Sequence, residues 1–309
     1  MFFVFEKFER LIDPFPGAEM ATPPRGFVRF MWSCTVGVRR HILAMALLTA
    51  CIGAFEAFLF GLLGDMVDWL SHTPPAQLWA EQRGRLLGLA ALVMGSTVLV
   101  ALQTLFKHQT LAGNFPMRLR WNFHRLMLGQ SMSFYQDEFA GRVAAKVMQS
   151  ALAVRDTAMI TCDILVFVVI YFVTMTTLAG RLDAWLLWPF MAWLALYVLS
   201  VRYFVPRLSR IGQQQADARS LMTGRISDAY TNIATVKLFS HGRREAGYAR
   251  SAMGEFLGTV HGQMRLVSGF EVVNHVLSMG LIAATAGVAL WLWTRGEVGV
   301  GALAAATAM

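Results

Sequence analysis

The sequence predicts an all-α polytopic membrane protein with long helical extensions outside the bilayer. Three observations predict it. Of the 309 residues, 56% are hydrophobic and only 15% are charged, where soluble domains carry about a quarter charged. Apolar runs near 20 residues recur, the length that crosses a hydrocarbon core about 30 Å thick. Between them lie two long polar segments that keep helical periodicity and contain little proline. The net charge of +8 then reads as basic loops on one membrane face, not as a nucleic-acid surface.

The N-terminal stretch MFFVFEKFERLIDPFPG mixes acids with bases and meets prolines at once, so it does not read as a secretory signal. Phe2, Phe3, Phe5, Phe8, Leu11 and Ile12 share the apolar side of a short helix. Residues 1–27 are therefore a segment for the membrane interface, with a frayed terminus as the other reading. TPPRG at 22–26 breaks the chain before the next element.

Spans are expected at Ile42–Leu63, Leu86–Phe106, Ala158–Leu178, Ala184–Val201 and Val272–Thr294. Val298–Met309 reads as a sixth span that is incomplete. The connections are Gly64–Arg85, the long Lys107–Thr157, the tight Ala179–Asp183, the long Arg202–Phe270 and the tight Arg295–Glu297. Lys and Arg number six in residues 1–41, seven in 107–157 and ten in 202–270, against four elsewhere. That asymmetry places the N-terminus and both long segments in the cytoplasm.

Each long segment reads as a pair of helical rods that continue the spans. From Lys107 to Ser131 a helix would reach about 37 Å. Pro116 is the candidate kink. Gly254, Gly258 and Gly262 recur at spacing four and would let two rods approach closely, as a sliding seam or as plain packing. At the rod tips lie FYQDEFAGR (134–142) and DAYTNIATVKLF (228–239). Asp137 and Glu138 suit a helix start, and Gly141 permits a sharp turn. Ala229, Ile233 and Val236 share helical spacing, with Leu238 and Phe239 beside them. Charge-rimmed apolar knobs suit docking; a hairpin tip packed on itself is the other reading.

MSFYQDEFAGRVAAKVMQS and SDAYTNIATVKLFSHGRRE, each in its long segment of a six-span frame, resemble the transmembrane domain of an ABC exporter half-transporter. The resemblance covers residues 28–309 and implies a type-1 six-helix fold with two coupling helices. It carries Phe134, Tyr135, Asp137, Glu138, Gly141 and Arg142 to the first coupling helix, with Lys146 in the loop pattern that follows. It carries Asp228, Ile233, Val236, Lys237 and Phe239 to the second. It further implies a nucleotide-binding domain docked on those tips, a second half-transporter, ATP and Mg in the full transporter, and a bacterial inner membrane. No G-x-x-x-x-G-K-[ST] loop follows from the four lysines, Lys7, Lys107, Lys146 and Lys237, and no Leu-Ser-Gly-Gly-Gln occurs. No catalytic residue and no cofactor is therefore expected on this chain, which reads as truncated before the nucleotide-binding domain and inactive alone.

Glu56 is the lone charge of its span and the first candidate for the substrate path, with a hydrogen bond to a neighbouring helix as the structural reading. Asn274 and His275, with Glu271, come second; their place near the cytoplasmic end favours a helix-packing or headgroup role, and Asp163 reads the same way. Trp185, Trp188, Trp193, Trp291 and Trp293 suit an interfacial belt. The histidines show no metal spacing and the three cysteines no framework. A permease subunit served by a separate ATPase, or an ion-coupled secondary transporter, are the alternatives.

Overall fold

The computed structural model describes residues 2–18, 20–72, 74, 78–137, 140–239 and 242–308. Among them there is no strand. Five helices are long and apolar enough to cross a membrane: Arg39–Leu70, Gln82–Leu128, Val143–Leu182, Ala184–Thr231 and Gly242–Thr294. The chain divides into two compact units, Met1–Arg181 with Gly299–Met309, and Leu182–Val298.

The first unit opens with α1 (Phe2–Glu9) and α2 (Phe27–Cys34). α3 (Arg39–His72) and α4 (Leu78–Thr104) follow. Of the expected connection Gly64–Arg85, residues 64–72 and 78–85 are helical, the polar ends of α3 and α4. The periodic pattern simply runs past the apolar core, because a helix needs backbone bonds and not lipid. A π-helical segment, Leu105–Ala112, leads into α5 (Asn114–Leu128). α6 (Met132–Asp137), α7 (Ala140–Met159), a second π segment (Ile160–Leu165) and α8 (Val166–Leu182) complete the rise and return.

Pro116 does not kink a rod midway. It falls in the first turn of α5, where a missing N–H costs nothing. The break lies just before it, at the π segment and Gly113. Proline cannot bond the carbonyl four residues back, and that carbonyl, on Ala112, accepts from Arg155 at 3.5 Å.

The core of this unit sits where α3 meets the rods. Leu111, Phe115, Leu119 and Phe123 are buried at strict spacing four, one stripe of a helix. Ala151, Val154 and Ala158 of α7 complete the layer with Val38, Ile42 and Met45. The small α7 residues let the two rods come close. Burial pushes the Cys34 thiol up to about 11, so it stays protonated at neutral pH. A maleimide should leave Cys34 unlabelled in the folded protein and label it in denaturant. Equal labelling in both would contradict its place in this core.

The N-terminal segment is held along the first rod. Thr110 donates to the Phe8 carbonyl at 3.0 Å and Asn114 to that of Glu9 at 2.7 Å. Arg118 reaches Asp13, Trp121 reaches Pro16, and Arg125 reaches Pro16, Gly17 and Ala18. Phe8 meets Phe106 edge-on at 5.3 Å. Phe15 meets Trp121 edge-on at 5.7 Å, while Phe3, Val4 and Leu11 stay exposed.

α12 (Val300–Ala308) packs on α3 within the same unit. Asp68 accepts from the Gly301 N–H at 2.7 Å, so a carboxylate meets one of the unpaired donors of the helix start. A Cβ built on Gly301 would lie 2.2 Å from the Gly64 carbonyl oxygen. Two backbones touch here, which only glycine allows.

The second unit is an antiparallel helical pair, α9 (Leu187–Thr231) and α11 (Gly242–Thr294), joined through α10 (Ile233–Leu238). At 53 residues, α11 is about 80 Å long, far more than the roughly 30 Å of hydrocarbon. Trp185 meets Trp291, Phe204 meets Phe270, Arg219 lies over Phe256 and Arg225 over Tyr248. Partner numbers fall on α11 as they rise on α9, which fixes the register. The expected glycine seam is largely absent. Gly254 and Gly258 have nothing within 4 Å of a built Cβ, and Gly262 alone faces Ile211 closely. Spacing four drifts around a helix of 3.6 residues per turn, so three such positions need not meet one partner. α11 closes on Gly296 at φ +73, with Gly296 N–H donating to Trp293 and Glu297 N–H to Leu292. That is the glycine stop of a helix.

Candidate functional site: two helical tips and a buried ion pair

Each pair of rods ends in a six-residue helix, and these are the two predicted tips. At the first, the Ser131 hydroxyl accepts from the Phe134 N–H at 3.4 Å, capping α6. Tyr135 donates through its hydroxyl to the Met127 carbonyl at 2.7 Å, tying α6 to the end of α5. Phe134 stacks edge-on against Tyr135 at 5.2 Å. It also helps wall a cavity of about 270 Å³ with Phe123, Met127, Val143 and Val147. Both aromatics are half-buried, so they anchor the tip to its rods.

The sequence reading of the acids and the glycine changes here. Asp137 ends α6 and does not open it, and Gly141 lies in the first turn of α7. Glu138 lies outside the described residues, and of Asp137, Gly141 and Arg142 the backbone alone is described.

At the second tip, Asp228 stands in the last turn of α9. Its carbonyl accepts from the Asn232 N–H and from Asn232 Nδ2, both at 3.0 Å. The bond is through the backbone, where the sequence suggested an acid before a short helix. Val236 and Phe239 continue the turn with bonds to Asn232 and Thr235. Ile233, Leu238 and Phe239 are exposed, Leu238 by 81%. Beside them a groove of about 470 Å³ is lined by Arg225, Asp228, Asn232, Val236, Glu245 and Tyr248. Lys237 is exposed on the same short helix. An apolar helix face rimmed by both charges is what a protein partner can read.

The more surprising constellation lies at the foot of the spans. Lys107 Nζ and an Asp163 carboxylate oxygen are 2.5 Å apart. The other carboxylate oxygen accepts from Thr49 Oγ1 and from Gln103 Nε2, each at 2.9 Å. Asp163 keeps 12% of its side-chain surface and Lys107 35%. Three elements thus converge: α3 gives Thr49, α4 with its π segment gives Gln103 and Lys107, and the second π segment gives Asp163. Among the described residues the carboxylate's polar partners, Lys107, Thr49 and Gln103, are all donors, which is the condition for burying it. π segments are rare and concentrate at functional places, and both partners of the ion pair stand on one.

Sequence reasoning ranked Glu56 above Asp163. Glu56 is exposed on α3, two turns beyond Thr49. The missed signal was complementary charge: Asp163 interrupts one apolar run while Lys107 closes another. Asn274 is half-buried and His275 exposed, both on α11 in the second unit. The tryptophans at the other end of that unit are partly exposed, with Trp185 and Trp291 5.8 Å apart and Arg295 over Trp291. Such a cluster suits the membrane–water boundary.

Residues 42–309 match the family model of the ABC transporter transmembrane region. The chain is also 52% identical over 306 residues to a Haemophilus influenzae protein named as an uncharacterized ABC transporter ATP-binding protein. That match takes in 99% of this chain and 50% of the relative, so the chain spans about half the length of the curated relative it matches. With its all-helical fold, its five membrane-length helices and this match over most of its length, the chain belongs to the ABC transporter transmembrane family.

Proposed function

We propose that the chain is the membrane-spanning half of an ATP-driven exporter, coupled through α6 and α10 to a nucleotide-binding domain. ATP and Mg act at that domain, which lies outside these 309 residues, and the chain supplies no catalytic group. Without that domain it does not transport. Two such halves form the translocation path in a bacterial inner membrane, with the N-terminus and both tips cytoplasmic. The relative is about twice as long and is named for ATP binding, which favours an ATPase joined to the membrane half over a separate subunit. Membership of the ABC family also leaves the ion-coupled alternative without support.

The observation that carries the reading is α10: a short helix at the turn of two long rods, with Ile233, Leu238 and Phe239 exposed. ATP binding must favour one of two helix packings to do work. A rigid rod with an apolar knob at its end gives that bias a place to enter. Gly141 and Arg142, at the start of α7, and Asp228, at the end of α9, set how the tips meet the rods. Glu56, Asn274 and His275 are the proposed substrate-path residues.

The test is made in the full-length transporter. Leu238→Asp puts a charge on an 81% exposed side chain, so folding should be spared. Transport and substrate-stimulated ATP hydrolysis should fall about tenfold or more, the loss of one central interface anchor. Asp228→Ala keeps the backbone carbonyl but removes the carboxylate from the groove beside α10, and should act in the same direction. Wild-type coupling in both variants would refute docking at this tip.

A further inference from the structure

Between α2, the start of α3 and the α7–π junction lies a cavity of about 360 Å³. Its walls include Phe27, Val28, Met31, Leu43, Thr161 and Cys162. Nearly all of its lining is carbon. One cation enters it, Arg39, at the first residue of the first span. From the geometry we infer that this groove holds an anionic phospholipid, with one acyl chain in the cavity and its phosphate on Arg39.

Arg39 is built for a headgroup. Its guanidinium stacks 3.9 Å over the Trp32 ring, donates to the Trp32 carbonyl at 2.7 Å and reaches Thr35 Oγ1 at 3.3 Å. These bonds use two of the five N–H donors of an arginine. The remainder have no hydrogen-bond partner among the described residues and suit the paired oxygens of a phosphate. Arg40 stands exposed beside it. The position also fixes the occupant. Arg39 lies where the apolar run begins, which is headgroup depth. Below it Leu43 and Leu47 are exposed along the span, so the groove continues into the face that meets acyl chains. α2 gives the other wall, with Phe27, Val28 and Trp32 exposed towards the same side. Basic pockets between helices at this depth select anionic headgroups. The inference does not depend on how the tips couple to an ATPase.

The test uses the purified chain in detergent, exchanged into micelles holding equal amounts of dioleoylphosphatidylglycerol and dioleoylphosphatidylcholine. Retained lipid is counted by native mass spectrometry. Wild type should hold phosphatidylglycerol over phosphatidylcholine by about fivefold, the effect of one basic side chain at a membrane surface. Arg39→Gln should hold both lipids equally. Thr161→Trp and Val28→Asp, both at exposed positions on opposite walls, should lower retention of both. Sodium phosphate should not displace the lipid, because the chain and not the headgroup supplies most of the contact. Selectivity surviving in Arg39→Gln would overturn the proposal. So would undiminished retention in both wall variants, or displacement by phosphate alone.

Discussion

Gly301→Val will loosen the start of α12 from α3. A Cβ at this position lies 2.2 Å from the Gly64 carbonyl oxygen and 2.3 Å from the Asp68 carboxyl carbon. The first is backbone inside a long helix and cannot step aside. The second is the group that accepts from the Gly301 N–H, so the added methyls also push away the cap. Overpacking of this kind costs about 1–3 kcal/mol, and losing a cap adds about 1 kcal/mol. The purified protein should melt at a lower temperature, and protease should reach α12 first. Gly95→Val on α4 is the control, since nothing stands within 4 Å of its built Cβ. Equal loss in the two variants would mean that the helix contact is not what the glycine serves.

Asp163→Leu should be the most damaging single change in the spans, and a second change should undo much of it. The first removes the acceptor of three donors: Lys107, Thr49 and Gln103. It leaves an ammonium among apolar helices. Stranding a fully buried charge costs about 3–5 kcal/mol. Lys107 keeps about a third of its surface, which lowers the expectation to roughly 2–3 kcal/mol. Adding Lys107→Met removes the stranded charge, so the double variant should regain most of the stability. Thermal unfolding of the two variants beside wild type reads this directly. A double variant as unstable as Asp163→Leu would show that the pair does not act as a pair. The ion pair also joins two π segments, so in the full transporter the double variant should fold and yet transport less.

Much of the architecture was legible because its signals are one-dimensional. Span length follows from bilayer thickness, and the long rods follow from periodicity that outlasts the apolar runs. The tips were legible for the same reason: they are where periodicity must stop. Their inner organisation was not. Phe134 and Tyr135 stood out as a pair of aromatics, but their turning back onto α5 and α7 depends on a hydroxyl reaching the Met127 carbonyl. Asp228 stood out as an acid, but it serves here through its carbonyl.

The ion pair escaped for a geometric reason. A π turn holds an extra residue, which rotates everything after it by about 100°. The faces on which Lys107 and Asp163 fall are therefore set by the π segments, and regular 3.6-residue spacing does not give them. The glycine seam failed oppositely, because a regular spacing on one helix says nothing about what stands opposite. By itself the sequence determined the helices, the places of the two tips and the family, since each is written in composition and spacing along one chain. Only the tertiary structure decided which charges are buried together, which glycine touches a backbone and where a lipid-sized groove opens, because each depends on residues far apart in sequence meeting at a distance no linear pattern encodes.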